Sequence, residues 1–255
     1  MDRNFDSLIS RFQKNIYDSP KGEIRLAIVW DDLLEFVPAL QAKKQLRILD
    51  AGAGFGQLAQ RLARAGHELV LCDLSQAMLA QAEKIFSTEV PKAKVEFVHS
   101  SIQDYCKEST QQFDLVLCHA VLEWVVDPEA LLRQMIKQVK PDGYFSLMFY
   151  NKHAAVLRNL LRGNFFKVKS GAYHGDPNSL TPNQPLMPDD VYQWLSEDGV
   201  DILLRSGVRV VYDYLSKELR QQRSLDDIIE MEKMHSRHEP YCSMGRYIHV
   251  IGRVN

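Results

Sequence analysis

Three features of the 255-residue chain predict an α/β fold with a mostly parallel sheet and helices on both faces. Apolar strand-like runs alternate with helix-spaced segments between residues 46 and 150. The first of these strands ends in the glycine-rich stretch "LDAGAGFGQ" at 49–57. Two strand-like runs near the end of the chain have no compact helix between them, so they are expected to pair antiparallel at the sheet edge.

The elements follow in order. "EIRLAIVWDDLLEFVPAL" (23–40) places apolar residues at helical spacing. "LRILDAG" (46–52) reads as a buried strand and "QLAQRLARAG" (57–66) as a helix closed by Gly66. "HELVLCDL" (67–74) is the second strand, followed by a helix at 75–86 with Ser75 as N-cap. "KVEFVHSS" (94–101), "FDLVLCHA" (113–120) and "YFSLMFY" (144–150) supply three more strands, with a helix at 128–138 and a "KPDG" turn before the fifth. Further on, "VYQWLSEDGV" (191–200) is helical, and "DILLRSGVRVVYDY" (201–214) and "YIHVIGRV" (247–254) are strands around one charged helical stretch at 215–237. The expected organisation is a single domain over 1–255. It has an N-terminal arm and helix (1–45), a cofactor-binding core (46–150), a cap-like insertion (151–190) and the last part of the sheet (191–255).

Composition narrows the class. Hydrophobic residues make up 45% and charged residues 25%, as in ordinary globular proteins. No apolar run approaches the ~20 residues of a membrane span, and the polar start "MDRNFDSLISRFQKN" has no apolar core of a signal peptide, so a cytoplasmic location is expected. Cys72, Cys106, Cys118 and Cys242 form no C-x-x-C pair, which predicts neither a metal site nor a disulfide framework. A net charge of −2 is not that of a general nucleic-acid binder.

The glycine loop raises the question of its ligand. Gln57 stands where the dinucleotide pattern G-x-G-x-x-G needs its third glycine, and no Gly-Lys-Ser/Thr follows, so neither phosphate pattern fits. Asp50 at the mouth of the loop would repel a pyrophosphate but suits an ammonium or sulfonium ligand; its bland alternative is to brace the turn through backbone N–H groups. Gly52, Gly54 and Gly56 would let the backbone approach a compact ligand. Asp73 ends the second strand 19 residues after Gly54, where a carboxylate can accept both hydroxyls of a ribose. After the third strand, "SSIQD" (100–104) offers Ile102 to an adenine face and Gln103 and Asp104 to its edge.

Together, "LDAGAGFG", "CDLS", "SSIQD" and "FDLVLCHAVLEWVVDPEALLRQMIKQVKPDG" resemble the class I S-adenosylmethionine-dependent methyltransferases. The resemblance implies a Rossmann-like, seven-stranded sheet, mostly parallel with an antiparallel last strand. It implies S-adenosylmethionine as cofactor. Gly52, Ala53 and Gly54 would lie at the cofactor's amino-acid end, with Asp73 and Leu74 at its ribose and Ile102 and Gln103 at its adenine. His119 would lie near the cofactor or the transferred methyl; a satisfied core histidine is the alternative. "DRNFD…FQKNIYDSPKGEIRLAIVWDDL", "SLMFYN", "GVRVVYDYL" and "GRYIHVIGR" extend the likeness to bacterial tRNA methyltransferases that esterify the carboxyl group of wobble carboxymethoxyuridine. In that family a basic residue holds the cofactor carboxylate where Arg25 stands. Some members carry glycine at the place of Ala53 and an acid at that of Phe55.

The residues agree with that chemistry. "CHAVLEW" replaces the Asn/Asp-Pro-Pro-aromatic tetrad of exocyclic amine methylation, and no Pro-Cys pair offers a covalent route to a pyrimidine carbon. A carboxylate is ionised at neutral pH and needs no general base, only alignment and exclusion of water. From 151 to 175 there is no acid, while Lys152, Arg158, Arg162, Lys167 and Lys169 alternate with Phe165, Phe166 and Tyr173. Such a stretch suits the phosphates and unpaired bases of a tRNA anticodon loop; a solvated helix and loop is the alternative. Arg205, Arg209 and Arg246 are further candidates for substrate or RNA. The rival readings are a small-molecule carboxyl or O-methyltransferase on the same fold and a non-catalytic RNA-binding module. Oligomeric state is not legible.

Overall fold

Five apolar runs, most of them buried almost continuously, run towards the end of the sheet that later forms the site. They are β1 (Arg47–Ala51), β2 (Glu68–Asp73), β3 (Val95–His99), β4 (Phe113–His119) and β5 (Val139–Tyr150). The computed structural model describes residues 19–42, 44–173, 182 and 184–255. The expected N-terminal arm before residue 19, and His174 and Gly175 of the acid-free stretch, lie outside the described residues.

With β6 (Val200–Val208) and β7 (Tyr247–Val254) these strands form one sheet in the order β3-β2-β1-β4-β5-β7-β6. The first five pair in parallel, and β7 runs antiparallel to both β5 and β6. The expected antiparallel pairing of the late strands holds, with β7 seated inside the sheet and β6 at its edge.

Helices cover both faces. α1 (Pro20–Phe36), α2 (Gln57–Arg64), α3 (Gln76–Glu89) and, from the C-terminal part, α10 (Leu225–His235) pack on one face. The other carries α4 (Ile102–Glu108), α5 (Pro128–Ile136) and α8 (Pro188–Glu197). Between these lie α6 (Lys152–Leu161), α7 (Phe165–Ser170), α9 (Lys217–Gln222) and α11 (Tyr241–Met244).

α1 shows why the sequence folds this way. Ser19 caps it by accepting from the Gly22 N–H, Pro20 opens the first turn and Glu23 meets the positive helix end. Ile24, Ile28, Val29 and Leu33 are buried against the sheet, each worth about 1.5–3 kcal/mol. The helix stops at Phe36 because Pro38 opens a 3-10 turn, short of the expected end at residue 40.

Three other expectations are corrected. "KPDG" lies within β5: Val139 and Tyr144 pair with Phe113 and Leu115, so the residues between them bulge, with Asp142 at φ 62°. The strand expected over 201–214 ends at Val208, where Arg209 turns to φ 63° and a 3-10 turn follows at Tyr212–Tyr214. The charged helical stretch breaks into α9 and α10 because the Ser224 hydroxyl accepts from the Asp227 N–H and starts a new helix.

Candidate functional site

The carboxyl ends of the parallel strands bring most of the expected cofactor residues together. A small cavity of about 60 Å³ is lined by Arg25, Leu26 and Val29 of α1, by Asp50, Gly52, Ala53, Gln57 and Leu58 around the glycine loop, and by His119. Arg25 reaches the loop directly, its Nη2 donating to Gln57 Oε1 at 3.3 Å.

Asp50 accepts no hydrogen bond from the described residues, so it does not brace the turn. Burial first, and then the Asp73 charge, push its carboxyl up to about 7, against the opposing pull of Arg25. A buried carboxylate lacking a donor is poised for a cationic ligand group.

The loop glycines also answer to their packing. Gly52 sits at φ 79° with its Cα against the Val121 side chain, and Gly56 at φ 68° packs towards Leu71 and Phe86. A Cβ at either position would strike these side chains, so both serve close packing of loop and helix on the sheet. Gly54, at φ 55°, donates its N–H to Asp73 Oδ2 at 2.8 Å. The other Asp73 oxygen accepts from the Ser75 N–H at 2.8 Å. Asp73 thus ties β1's loop to the start of α3 at the point assigned to a ribose. Leu74 follows it in the same turn.

At β3's end, Ile102 opens α4 and is buried, with its Cδ1 near Gly52. Gln103 follows in the same turn and is half-buried. Asp104 Oδ2 accepts from the Ser101 hydroxyl at 2.6 Å, while the Asp104 N–H donates to Ser101 Oγ at 3.0 Å. It serves as part of the helix cap. Ala53 and Phe55 are both buried, so the Phe55 ring fills interior space beside the loop.

A second constellation lies on the same sheet end, where β5 and β6 finish and β7 begins. Asp213 is ion-paired with Arg209 at 3.3 Å and Arg246 at 3.8 Å, and all three side chains are only 11% exposed. Burial raises the Asp213 carboxyl, but the charges of Arg209, Arg246, Arg158 and Lys21 outweigh it and hold it below the usual range. Burial, then Arg246 and Arg162, push Arg158 down to about 10. Arg246 stacks over the Tyr150 ring at 4.5 Å and Arg209 over Tyr247 at 5.4 Å. The Nε atoms of both arginines are buried without a hydrogen-bond acceptor among the described residues. One acid therefore faces two nearly buried arginines, with the half-buried Arg158 and the exposed Lys21 adding charge. Asp213 Oδ2 also lacks a hydrogen bond among the described residues, so the excess of cations over acids is what favours an anion here.

Lys21 and Arg25 stand one helical turn apart on α1, so the cation cluster and the small cavity adjoin. Sequence reasoning named Arg158, Arg209 and Arg246 but missed Lys21 and Asp213. The i,i+4 spacing of Lys21 and Arg25 on one helix was the signal available.

The remaining basic candidates separate from this cluster. Lys152 is half-buried at the start of α6, while Arg162, Lys167 and Lys169 are exposed at the α6–α7 tip. There Phe165 and Phe166 stand 58% and 83% exposed, and Leu161 68%. Arg205 lies out on β6, stacked over Tyr192 at 4.0 Å. No helix among the described residues is long and apolar enough to cross a membrane, and no three His, Cys, Asp or Glu side chains among them group to hold a metal.

The chain is similar to known methyltransferases. Residues 49–147 match the family model of a methyltransferase domain. The chain is 41% identical over 252 residues to the tRNA 5-carboxymethoxyuridine methyltransferase of Escherichia coli (strain K12), covering 99% of this chain and 96% of that protein. It is 26% identical to the ubiquinone biosynthesis O-methyltransferase of Hydrogenovibrio crunogenus, over 76% of this chain and 77% of that one. Among solved structures, magnesium protoporphyrin IX methyltransferase from Synechocystis PCC 6803 with bound SAH superposes with a TM-score of 0.66 at 14% identity, covering 98% and 96% of the two chains. That likeness is one of fold.

Proposed function

Since the chain belongs to the tRNA 5-carboxymethoxyuridine methyltransferase family of S-adenosylmethionine-dependent enzymes, we propose that it esterifies the carboxyl group of carboxymethoxyuridine at the tRNA wobble position. The observation that carries the reading is the buried arginine cluster around Asp213, one turn of α1 from the small cavity.

The cavity fits the zwitterionic end of the cofactor. Arg25 offers a guanidinium to its carboxylate, and Asp50 a carboxylate to its ammonium. Asp73 and Leu74 take the ribose side, Ile102 and Gln103 the adenine side, and Gly52, Ala53 and Gly54 the backbone between them. When bound, S-adenosylmethionine supplies a methyl group activated by its sulfonium.

The chain's own residues then need to hold and align an anion. Arg209 and Arg246 have buried donors without acceptors, and Arg158 and Lys21 add charge from α6 and α1. A carboxylate held there is already ionised, so no side chain has to remove a proton. Tyr150 and Tyr247 wall the cluster and keep water from the reacting oxygen. The absence of a base–nucleophile dyad in the sequence matches a displacement that rests on proximity and alignment.

The RNA is held by the segment after β5. Phe165 and Phe166 stack on unpaired bases of the anticodon loop, and Arg162, Lys167, Lys169 and Lys152 pair with its phosphates. The division into a cofactor core at 46–150 and a cap at 151–190 belongs to the same reading, as does a cytoplasmic location with the tRNA pool.

Incubation with labelled S-adenosylmethionine tests it, using tRNA that carries carboxymethoxyuridine and the same tRNA without it. Label confined to the modified tRNA, released by mild alkali as expected of an ester, is the expected result. Equal labelling of both, or labelling of neither, overturns the assignment.

A further inference from the structure

A chain of hydrogen bonds runs from the small cavity through the sheet to α1. His119 Nε2 is 2.9 Å from Ser146 Oγ, which is 2.9 Å from His249 Nε2. His249 Nδ1 is 2.8 Å from Asp32 Oδ2. The second Asp32 oxygen accepts from Arg237, at 3.0 Å from Nε and 2.9 Å from Nη2. The strand period of two turns His119, Ser146 and His249 to the face that α1 covers. Ser146 and His249 are fully buried and Asp32 is 1% exposed. Asp32 lies seven residues, two turns, beyond Arg25 on α1.

The proton count along this chain is constrained. A carboxylate only accepts, so His249 carries a proton on Nδ1. Arg237 pairs with Asp32 and also with Glu35, at 2.6 Å; with a single ring proton on His249, placed on Nδ1, its Nε2 is bare. The single Ser146 proton must point at that nitrogen, which leaves the serine lone pair to receive Nε2–H of His119. The Nδ1 of His119 is therefore bare. Apart from Ser146, whose hydroxyl and backbone both meet the ring, His119 has no hydrogen-bond partner among the described residues, and its ring lines the cavity beside Asp50 and Arg25.

We propose that Asp32, His249 and Ser146 are positioning residues that fix the tautomer of His119, so that its Nδ1 lone pair faces the cavity and accepts from the cofactor's ammonium group alongside Asp50. This rests on the reading of the cavity as the amino-acid end of the cofactor. It also explains how four polar side chains are accommodated inside this layer, each donor meeting an acceptor in one direction only, while the buried Ser206 opposite His249 stays outside the chain with its hydroxyl unpartnered among the described residues. Burial, His249 and Arg25 hold the His119 imidazole well below its ordinary range, consistent with a neutral ring.

Nitrogen-15 NMR of histidine-labelled full-length protein reads both tautomers without any ligand. The expected wild-type result is Nε2–H on His119 and Nδ1–H on His249. Asp32→Asn should reverse both. Arg237 requires an acceptor, so the amide oxygen stays with it and the amide nitrogen donates to His249 Nδ1. The serine then turns round, and His119 presents Nδ1–H to the cavity. S-adenosylhomocysteine, titrated by calorimetry, should bind that variant at least about tenfold more weakly. Ser146→Ala, a smaller change in the core, should leave His249 as Nδ1–H while His119 becomes a mixture of tautomers. A wild-type His119 protonated on Nδ1, or on both nitrogens, overturns the relay. Reversed tautomers with unchanged affinity overturn its link to the cofactor. Wild-type protein that binds neither S-adenosylmethionine nor its product would instead refute the reading of the cavity, a separate result from the tautomers themselves.

Discussion

The Glu232 carboxylate on α10 accepts the backbone N–H of Val210 at 2.6 Å, and its second oxygen takes those of Val211 at 3.1 Å and Tyr212 at 2.7 Å. One buried acid thereby holds the turn between Arg209 and Asp213, including the left-handed backbone of Arg209. A non-glycine residue at φ 63° persists only where its surroundings enforce it. The turn is thus a rigid mount for two members of the cation cluster.

Glu232→Gln should loosen that mount. The amide has one acceptor oxygen, so at least one buried N–H is left without a partner, at a cost of about 1–3 kcal/mol. Urea denaturation should show that loss. Steady-state kinetics should show a raised KM for the carboxymethoxy-bearing tRNA with the cofactor KM unchanged, because the cavity does not touch this turn. Equal stability of the two proteins would disprove the clamp.

Arg246→Gln addresses the anion site itself. The arginine is nearly buried over Tyr150, and removing one charged partner of a buried anion costs about 2–5 kcal/mol. kcat/KM for the modified tRNA should fall by at least about tenfold, while calorimetric affinity for S-adenosylhomocysteine stays within about twofold. Unaltered turnover would remove the arginine cluster from the reaction.

Much of this site was legible because the relevant signals are local. A strand, a glycine turn and a helix in order predict where Asp50, Gly52 and Asp73 converge, and backbone geometry carries out that prediction. The division of labour among the glycines was not legible, since the neighbours that forbid a Cβ, Val121 and Leu71, come from other strands and loops. The capping bonds between Asp104 and Ser101 were not legible either, since they depend on the side-chain geometry of the α4 start. The basic run after β5 read as one surface, yet α6 turns Arg158 inward to Asp213 and leaves Lys167 and Lys169 outside. Sequence distance hides such a meeting: Lys21, Arg158, Asp213 and Arg246 come from four separate parts of the chain. The strand end at Arg209 was missed because tertiary bonds to Glu232, not propensity, decide it, and the helix break at Arg223 because the Ser224 cap lies inside a run of helix-forming residues.

Asp50 predicts a pH dependence with a definite sign. Its carboxyl is raised to about 7 in the free fold, against about 3.9 in an unfolded chain. The folded state therefore holds an extra proton between these values, and stability contributed there falls as pH rises from about 4 to 7. Binding an ammonium group favours the ionised form. Cofactor affinity should accordingly rise with pH through about 7, with a proton released on binding at pH ~6 and none at pH ~8.5. Calorimetry in buffers of different ionisation enthalpy measures this count. Asp50→Asn should raise the Tm of the cofactor-free protein at neutral pH, weaken S-adenosylhomocysteine binding and abolish the proton release. Release that persists in the variant would assign the titration elsewhere.

The α6–α7 tip supplies the test of RNA contact that is least exposed to folding artefacts. Phe166 is 83% exposed and makes no core contact, so Phe166→Ala should leave the denaturation midpoint unchanged. If its ring stacks on a base, the variant loses about 1–3 kcal/mol of tRNA affinity, roughly five- to 150-fold. Lys167→Ala and Lys169→Ala should act differently. Each removes one phosphate contact, so the slope of log affinity against log salt falls by about 0.7–0.9 per lysine, while the preference for modified over unmodified tRNA is kept. Filter binding across a salt series separates the two effects. A small-molecule methyltransferase would show none of them, because the tip lies beyond the cavity and the arginine cluster. Unchanged tRNA affinity in all three variants would move the RNA to another face and leave the four exposed apolar side chains of this tip, Leu160, Leu161, Phe165 and Phe166, in need of a different partner.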